Sequence, residues 1–364
     1  MAEPPTAVIA GLAAVSALGR EIDAQLAGAL AGTATFTPVR RFDATDRRVR
    51  MAATLDGVGP LADELAGAVD GACVAAGLTA GQRAGTVLLL AVHGGADVPA
   101  LATGLADRTG LGGVRRVYTT ACVSAGTAVA DAAALVAAGR AERLVVAAGY
   151  LVEPDQYALF DAGRALATDG VVRPFSTGRR GLLLGDGVAA VVVESAAAAR
   201  ARGHAPLARL AGWGRAGDGH HPCQPDPSGA GLARAVTAAL GRAGLLPTDI
   251  GYVNANATGT AYSDASEAAA LRRALGPAVD RIPVSSTKSI HGHALEASAL
   301  LELVITVLAL RHGKLPVNAG FLGADAACPL DVIVDAPRPA GTPYALSLNA
   351  AFGGANTALL VGAV

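Results

Sequence analysis

The chain has 364 residues and a formal net charge of −1, 29 Lys and Arg against 30 Asp and Glu, so it carries no electrostatic footprint for nucleic acid or an anionic membrane. Its 52% hydrophobic content rests on Ala and Val, with only 4% aromatics, which points to small side chains packed closely between helices and sheets. No apolar run reaches the roughly 18 residues a bilayer span needs, and the N-terminus (MAEPPTAVIAGL) shows neither a basic leader region nor a cleavage pattern.

In chain order, residues 7–14 (AVIAGLAA) read as a buried first strand, followed by a helix over 22–32. Residues 40–50 (RRFDATDRRVR) form a basic loop, expected to be a solvated face. A helix over 61–77 precedes a strand at 86–92, and residues 93–114 read as a loop with one helix. The run Tyr118-Thr119-Thr120-Ala121-Cys122 ends a β-prone segment and opens a small-residue helix over 123–139, followed by a strand at 143–149 (RLVVAAG). After an irregular stretch, 150–177, a pair of strands is expected within 181–195, and residues 196–204 read as a connector. The second round has strands at 207–213, 250–256, 282–286, 331–334, 344–349 and 357–364, with helices at 229–243, 263–275 and 295–312.

Strands alternating with helices predict an α/β fold with mainly parallel sheets. The rhythm repeats weakly at half the chain length, which suggests two similar halves, residues 1–200 and 201–364, each with a long buried central helix. Chemistry in such folds sits where strands end and helices begin. Cys122, Asn256, Lys288 and His293 all fall at those points. A thiol at a helix N-terminus is expected to favour thiolate, the nucleophilic form, although a lone cysteine there is more often packing. The four cysteines, Cys73, Cys122, Cys223 and Cys328, form no CxxC pair, so a reducing, cytoplasmic setting is expected over a disulfide framework. His220, His221 and Cys223 match no common metal-site spacing.

Several spaced stretches lift the cysteine out of the ordinary: Asn254-Ala255-Asn256-Ala257-Thr258-Gly259-Thr260, Lys288-Ser289-Ile290-His291-Gly292-His293 with Glu302 beyond it, and Phe352-Gly353-Gly354-Ala355-Asn356. With Thr120-Ala121-Cys122, the Arg173-to-Gly187 stretch and the Asp218…His221…Gly229 segment, they resemble, in order and over nearly the whole chain, the β-ketoacyl synthases, the elongating branch of the thiolase superfamily. The resemblance implies a thiolase-like fold. It also implies that Cys122 accepts an acyl group from the phosphopantetheine thioester of an acyl carrier protein and joins it to a malonyl-type extender by decarboxylative condensation. In that reading the Cys122 and Phe352 amides form an oxyanion hole, His293 and Asn256 hold the extender carbonyl, and Lys288 paired with Glu302 sets the electrostatics. Thr258, Thr260, Phe352 and Gly353 would lie on the substrate-binding side. No separate cofactor or metal is implied. A homodimer, or a heterodimer with a synthase-like subunit, is expected, with Arg47, Arg48, Arg50, Arg179 and Arg180 as candidate docking cations.

Two departures stand out. The family's first catalytic histidine is replaced by Asn256, and an amide cannot relay a proton. The segment before Cys122 is also shorter than is usual in the family, which bears on the acyl pocket and the dimer contact. Asn256 keeps one other reading open, acyl transfer or cyclisation without decarboxylation; a non-catalytic partner subunit of a synthase heterodimer is a separate alternative, although such partners lose the cysteine that this chain keeps.

Overall fold

The computed structural model describes residues 6–364. Eleven strands make one mixed sheet: β1 Ala7–Ser16, β2 Val87–Ala91, β3 Val114–Tyr118, β4 Arg143–Tyr150, β5 Gly187–Ser195, β6 Ala208–Gly217, β7 Ile250–Asn254, β8 Pro283–Ser285, β9 Asp331–Val332, β10 Tyr344–Ala350 and β11 Ala355–Gly362. Their spatial order is β9-β8-β7-β10-β11-β6-β1-β5-β4-β2-β3. Strands β1 to β5 stay together on one side and β6 to β11 on the other, meeting at an antiparallel seam of Val8 with Arg209 and Ile9 with Ala208.

The internal repeat is explicit in the pairing. In the first group β1 pairs antiparallel with β5, β5 antiparallel with β4, and β4 and β3 each run parallel to β2. In the second, β6 pairs antiparallel with β11, β11 antiparallel with β10, and β10 and β8 each run parallel to β7. The five-strand pattern is the same; β9 adds one parallel strand to the second group.

The core explains why β2 (VLLLA) is apolar at every position. Helices α1 Leu61–Ala75, α2 Ser124–Ala137, α3 Ala230–Ala243, α4 Ala261–Leu275 and α5 Ser298–His312 cover both faces of the sheet. Alternate residues of a strand point to opposite faces: Leu89 and Ala91 join a central core with α2 and α5, whereas Leu88 and Leu90 join an outer core with α1. A third core collects β7, β10 and α3. Strands covered on both sides need no polar face. Helix α5 is buried from Ser298 to Leu310, and it touches α2 where Gly126 leaves room; a Cβ at Gly126 would lie 2.6 Å from Thr357 Oγ1.

Two expectations from the sequence need correction. Only one strand, β5, occupies 181–195. The preceding residues touch both halves of the chain outside the sheet ladder: Leu184 forms an isolated bridge with His293 and Leu182 with Leu166. A side chain at Gly185 would place its Cβ 2.0 Å from the His291 carbonyl oxygen, so the contact is backbone on backbone. The basic loop is not purely a solvated face either. Arg41 makes two charge-assisted hydrogen bonds, 2.9 and 2.6 Å, to buried Asp186, which also accepts the Leu55 and Val152 amides. Among the described residues no helix is long and apolar enough to cross a membrane.

Candidate active site

The strand ending at Tyr118 delivers Cys122 into a short 3-10 turn, Ala121–Val123, that runs into α2. Ala121 takes φ +52°, a left-handed conformation that costs a non-glycine residue about 1 kcal/mol or more. Such strain persists only where the surroundings over-determine it. Here the turn packs against a second short turn, Leu295–Ala297, whose Leu295 also has positive φ, +40°. These two strained turns bring nucleophile and base together. Cys122 Sγ lies 3.0 Å from His293 Nε2, and His293 Nδ1 lies 2.7 Å from Ser298 Oγ. With Nδ1–H donated to Ser298, the Nε2 lone pair faces the thiol.

The electrostatics correct the expected thiolate. Burial pushes the Cys122 thiol up to about 12, with the charges of Glu296 and Glu302 also raising it and Lys288 opposing. The helix terminus does not outweigh the desolvation of a thiolate that is only 6% exposed. His293 is driven well below the usual imidazole range, first by burial and then by the Lys288 charge. The resting pair is therefore neutral thiol and neutral imidazole. At neutral pH a thiol held that high is almost wholly protonated, so the proton must pass to Nε2 as sulfur attacks.

Lys288 Nζ sits 2.6 Å from Glu302 Oε1, both side chains at most 1% exposed. Asn349 Nδ2 donates to the other carboxylate oxygen at 2.7 Å, and Asn254 Nδ2 donates to the Glu302 carbonyl at 3.2 Å. Burial raises the Glu302 carboxyl and the Lys288 charge opposes it. Lys288 acts on Cys122, His293 and Glu267 alike, so it is the shared electrostatic neighbour of both strand groups.

Asn256 is buried just past β7, its amide N–H donated to Glu267 Oε1 at 2.8 Å and its side-chain Oδ1 without a partner. An unpartnered buried amide atom is available to a ligand. Glu267 is pushed up to about 8, mainly by burial, and so holds a proton at neutral pH. The folded state keeps that proton while the unfolded chain, near 4.5, releases it. Stability from this group is therefore lost as pH rises from about 4.5 to 8. Glu267→Gln is expected to unfold at close to the wild-type temperature at pH 5 and at a higher one at pH 8.5; melting curves at both values test it, and equal shifts at both would count against it.

Thr258 and Thr260 lie next along the chain, their hydroxyls 3.2 Å apart, with the Thr258 and Gly259 amides donated to Asp264 Oδ1. The glycine-rich loop between β10 and β11 is braced from outside. Asn356 Nδ2 donates to Asp218 Oδ1 at 2.8 Å and to the Gly354 carbonyl at 3.0 Å. The Asp218 segment and this loop are thus one unit. Gly353 (φ +84°) donates its N–H to the Pro222 carbonyl at 2.7 Å. Gly353 therefore shapes the turn and is not free as an oxyanion donor. Phe352 is half exposed, its ring 6.0 Å from that of Phe160. Arg179 is also unavailable for docking: it donates to Asp325 and Cys328. His221 Nδ1 accepts the Cys223 and Gln224 amides, and among the described residues no group of His, Cys, Asp and Glu could hold a metal ion.

The comparisons decide the family. The model for the β-ketoacyl synthase N-terminal domain matches residues 76–199, and that for the C-terminal domain residues 207–322. Chain and 3-oxoacyl-(acyl-carrier-protein) synthase 2 of Staphylococcus aureus are 33% identical over 271 residues, 72% of this chain and 67% of that protein. The chain belongs to the β-ketoacyl synthase family. Nodulation protein E of Rhizobium meliloti is 38% identical over 244 residues, 66% of this chain and 60% of that relative; the chain thus spans about two thirds of its curated relatives. Among solved structures, the ishigamide ketosynthase/chain length factor superposes with a TM-score of 0.92 at 25% identity, over 99% of this chain and 100% of the other. A β-ketoacyl synthase from Burkholderia phymatum STM815 does so at 0.90 and 29% identity, with the same coverage. The thiolase-like fold and the condensing-enzyme family read from the motifs are borne out.

Reading the sequence missed Ser298, Asn349, His93 and Glu296. Ser298, five residues past His293 at the start of α5, was the most accessible of these; Asn349 and His93 touch their partners only through the fold.

Proposed function

We propose that the protein is a condensing β-ketoacyl synthase whose residues 1–200 supply the nucleophile and 201–364 the groups that act on the extender. Cys122 takes an acyl group from a carrier-protein thioester while His293 Nε2 takes the thiol proton and returns it to the departing pantetheine sulfur. Carrier-bound malonyl then enters, its thioester carbonyl held by Asn256 and by His293 in the Nε2–H tautomer, with Ser298 Oγ–H donated to Nδ1, and with Thr258 and Thr260 toward the pantetheine arm. Loss of carbon dioxide gives the enolate that attacks the acyl carbonyl, whose oxygen lies against the Cys122 and Phe352 amides. No cofactor beyond the carrier's phosphopantetheine takes part. The carrier is acidic and docks on the exposed Arg48, Arg50 and Arg180 and the half-buried Arg47, and the protein works in the cytoplasm as a dimer with itself or a synthase-like subunit. The Cys122–His293 contact of 3.0 Å carries this reading.

Its test is to load Cys122 from an acyl carrier-protein thioester, follow the adduct by intact mass, then add malonyl carrier protein and measure carbon dioxide and the lengthened product. Asn256 favours a second reading, in which acylation occurs but malonyl is not decarboxylated and the acyl group is transferred or cyclised; an adduct with no carbon dioxide released selects it. Asn256→His is expected to raise the condensation rate by about tenfold or more, since a protonatable donor replaces an amide at the enolate. A variant no faster than wild type would show that the amide is sufficient.

A further inference from the structure

The condensing reaction proposed above has a proton deficit that the residues assigned so far do not cover. The bond from the malonyl Cα to its carboxylate breaks, carbon dioxide leaves, and the electron pair forms the new carbon–carbon bond to the acyl carbonyl. The pair of the broken carbon–sulfur bond goes to Cys122 Sγ. That sulfur returns to the neutral thiol, its resting form here, so each condensation draws one proton from solvent. Acylation is different, because the proton lost by Cys122 leaves on the pantetheine thiol. The proton must reach a sulfur that is buried. His293 Nδ1 ends on buried Ser298 and Lys288 on buried Glu302, and Asn256 cannot carry a proton.

One titratable path does lead outward. His93 leaves the end of β2 just as Cys122 leaves the end of the adjacent parallel strand β3, Ala91 being in register with Tyr118. His93 Nδ1 lies 3.0 Å from Glu296 Oε1, the imidazole 54% exposed and the carboxylate 5% exposed. Glu296 sits in the strained Leu295–Ala297 turn that packs on the cysteine turn. Its other oxygen, Oε2, is buried with no hydrogen-bond partner, and its charge acts on the Cys122 thiol. A carboxylate that holds an exposed imidazole with one oxygen and keeps the other buried and unpartnered, in a turn packed on the cysteine turn, stands between solvent and the nucleophile.

We propose that His93 and Glu296 carry the proton consumed by each condensation from solvent to the Cys122–His293 pair. This rests on the condensing reading above. His93 takes a proton from water at Nε2 and passes the Nδ1 proton to Glu296 Oε1; the carboxyl group then turns about its Cγ–Cδ bond, and the protonated oxygen gives its proton to the sulfur or to His293. Glu296 ends as the carboxylate, and His93, left as the Nε2–H tautomer, returns to the Nδ1–H form by exchange with solvent at its exposed ring.

The test separates the two half-reactions by rapid quench in wild type, His93→Gln and Glu296→Gln, using an acyl carrier-protein thioester and then malonyl carrier protein. Acylation of Cys122 is expected to change by less than about twofold in His93→Gln and to hold or rise in Glu296→Gln, which removes a charge that raises the thiol, while condensation slows on the order of 100-fold in both. Added imidazole should restore much of the His93→Gln rate, and the solvent deuterium isotope effect on condensation should rise, neither of which a packing role would produce. Wild-type condensation rates in both variants, or equal losses in both half-reactions without imidazole rescue, would overturn the relay alone. A wild-type enzyme that acylates but never condenses would overturn both the relay and the reading it rests on.

Discussion

Cys122→Ala is expected to carry no acyl adduct after incubation with an acyl carrier-protein thioester and to lose at least about 1,000-fold in product formation. His293→Ala should retain the thiol and still acylate slowly, by on the order of 100-fold less than wild type. The reason is the environment of the sulfur. Burial holds the thiol near 12, so the thiolate is too scarce at neutral pH to react by itself, and the imidazole 3.0 Å away is the group that can accept its proton during attack. Raising the pH should recover part of the His293→Ala rate, since the thiolate population grows tenfold per unit below that value. Intact mass at a series of pH values checks this. An adduct on Cys122→Ala, or a flat pH profile in His293→Ala, would remove the nucleophile–base assignment.

Lys288→Met should give the largest loss of stability, about 3–5 kcal/mol, read as a fall in melting temperature of roughly 5–10 °C. The substitution leaves the Glu302 carboxylate in a dry site with Asn349 Nδ2 as its side-chain partner. Burial already raises that carboxyl, and Lys288 is what opposes it. Without the ammonium the folded protein retains a proton that the unfolded chain releases above about 4.5, so the deficit grows as pH rises from there. The double variant Lys288→Met/Glu302→Leu should recover most of the stability, because no charge is left buried alone. It should not recover activity, since the charge that eases ionisation of Cys122 is gone. Differential scanning calorimetry at pH 5 and 8 with a parallel acylation assay decides; an unchanged melting temperature in Lys288→Met would show that the pair is not holding the fold.

Much of the site was legible because the family's groups are strung along the chain in a fixed order. Cys122, Lys288, His293 and Glu302 stand at strand-to-helix junctions whose periodicity is readable locally, and the structure joins them in two contacts, Cys122 with His293 and Lys288 with Glu302. What the sequence concealed depends on burial and on long-range pairing. The proximity of Cys122 to a helix start argued for a thiolate, but desolvation is set by α5 and the Leu295 turn, which lie far along the chain. The pairing of His93 with Glu296 and of Asp218 with Asn356 spans 203 and 138 positions, with no local pattern to announce it. Residues 181–185 looked like a strand because their apolar run is real; their partners are single residues on either side, so the ladder never propagates.

The crossing segment at Leu183–Gly185 has a mechanical consequence. The His293 N–H donates to the Leu183 carbonyl at 2.8 Å, and Gly185 N–H donates to the His293 carbonyl at 3.0 Å. The base comes from the second round of the chain, yet its backbone is pinned on both sides by the round that carries the thiol. If the two strand groups rock against one another as a bulky acyl chain enters, the imidazole travels with the sulfur. Relative motion of the two strand groups would leave the 3.0 Å gap intact, much as a tool and its workpiece bolted to one bed keep their alignment when the frame around them moves.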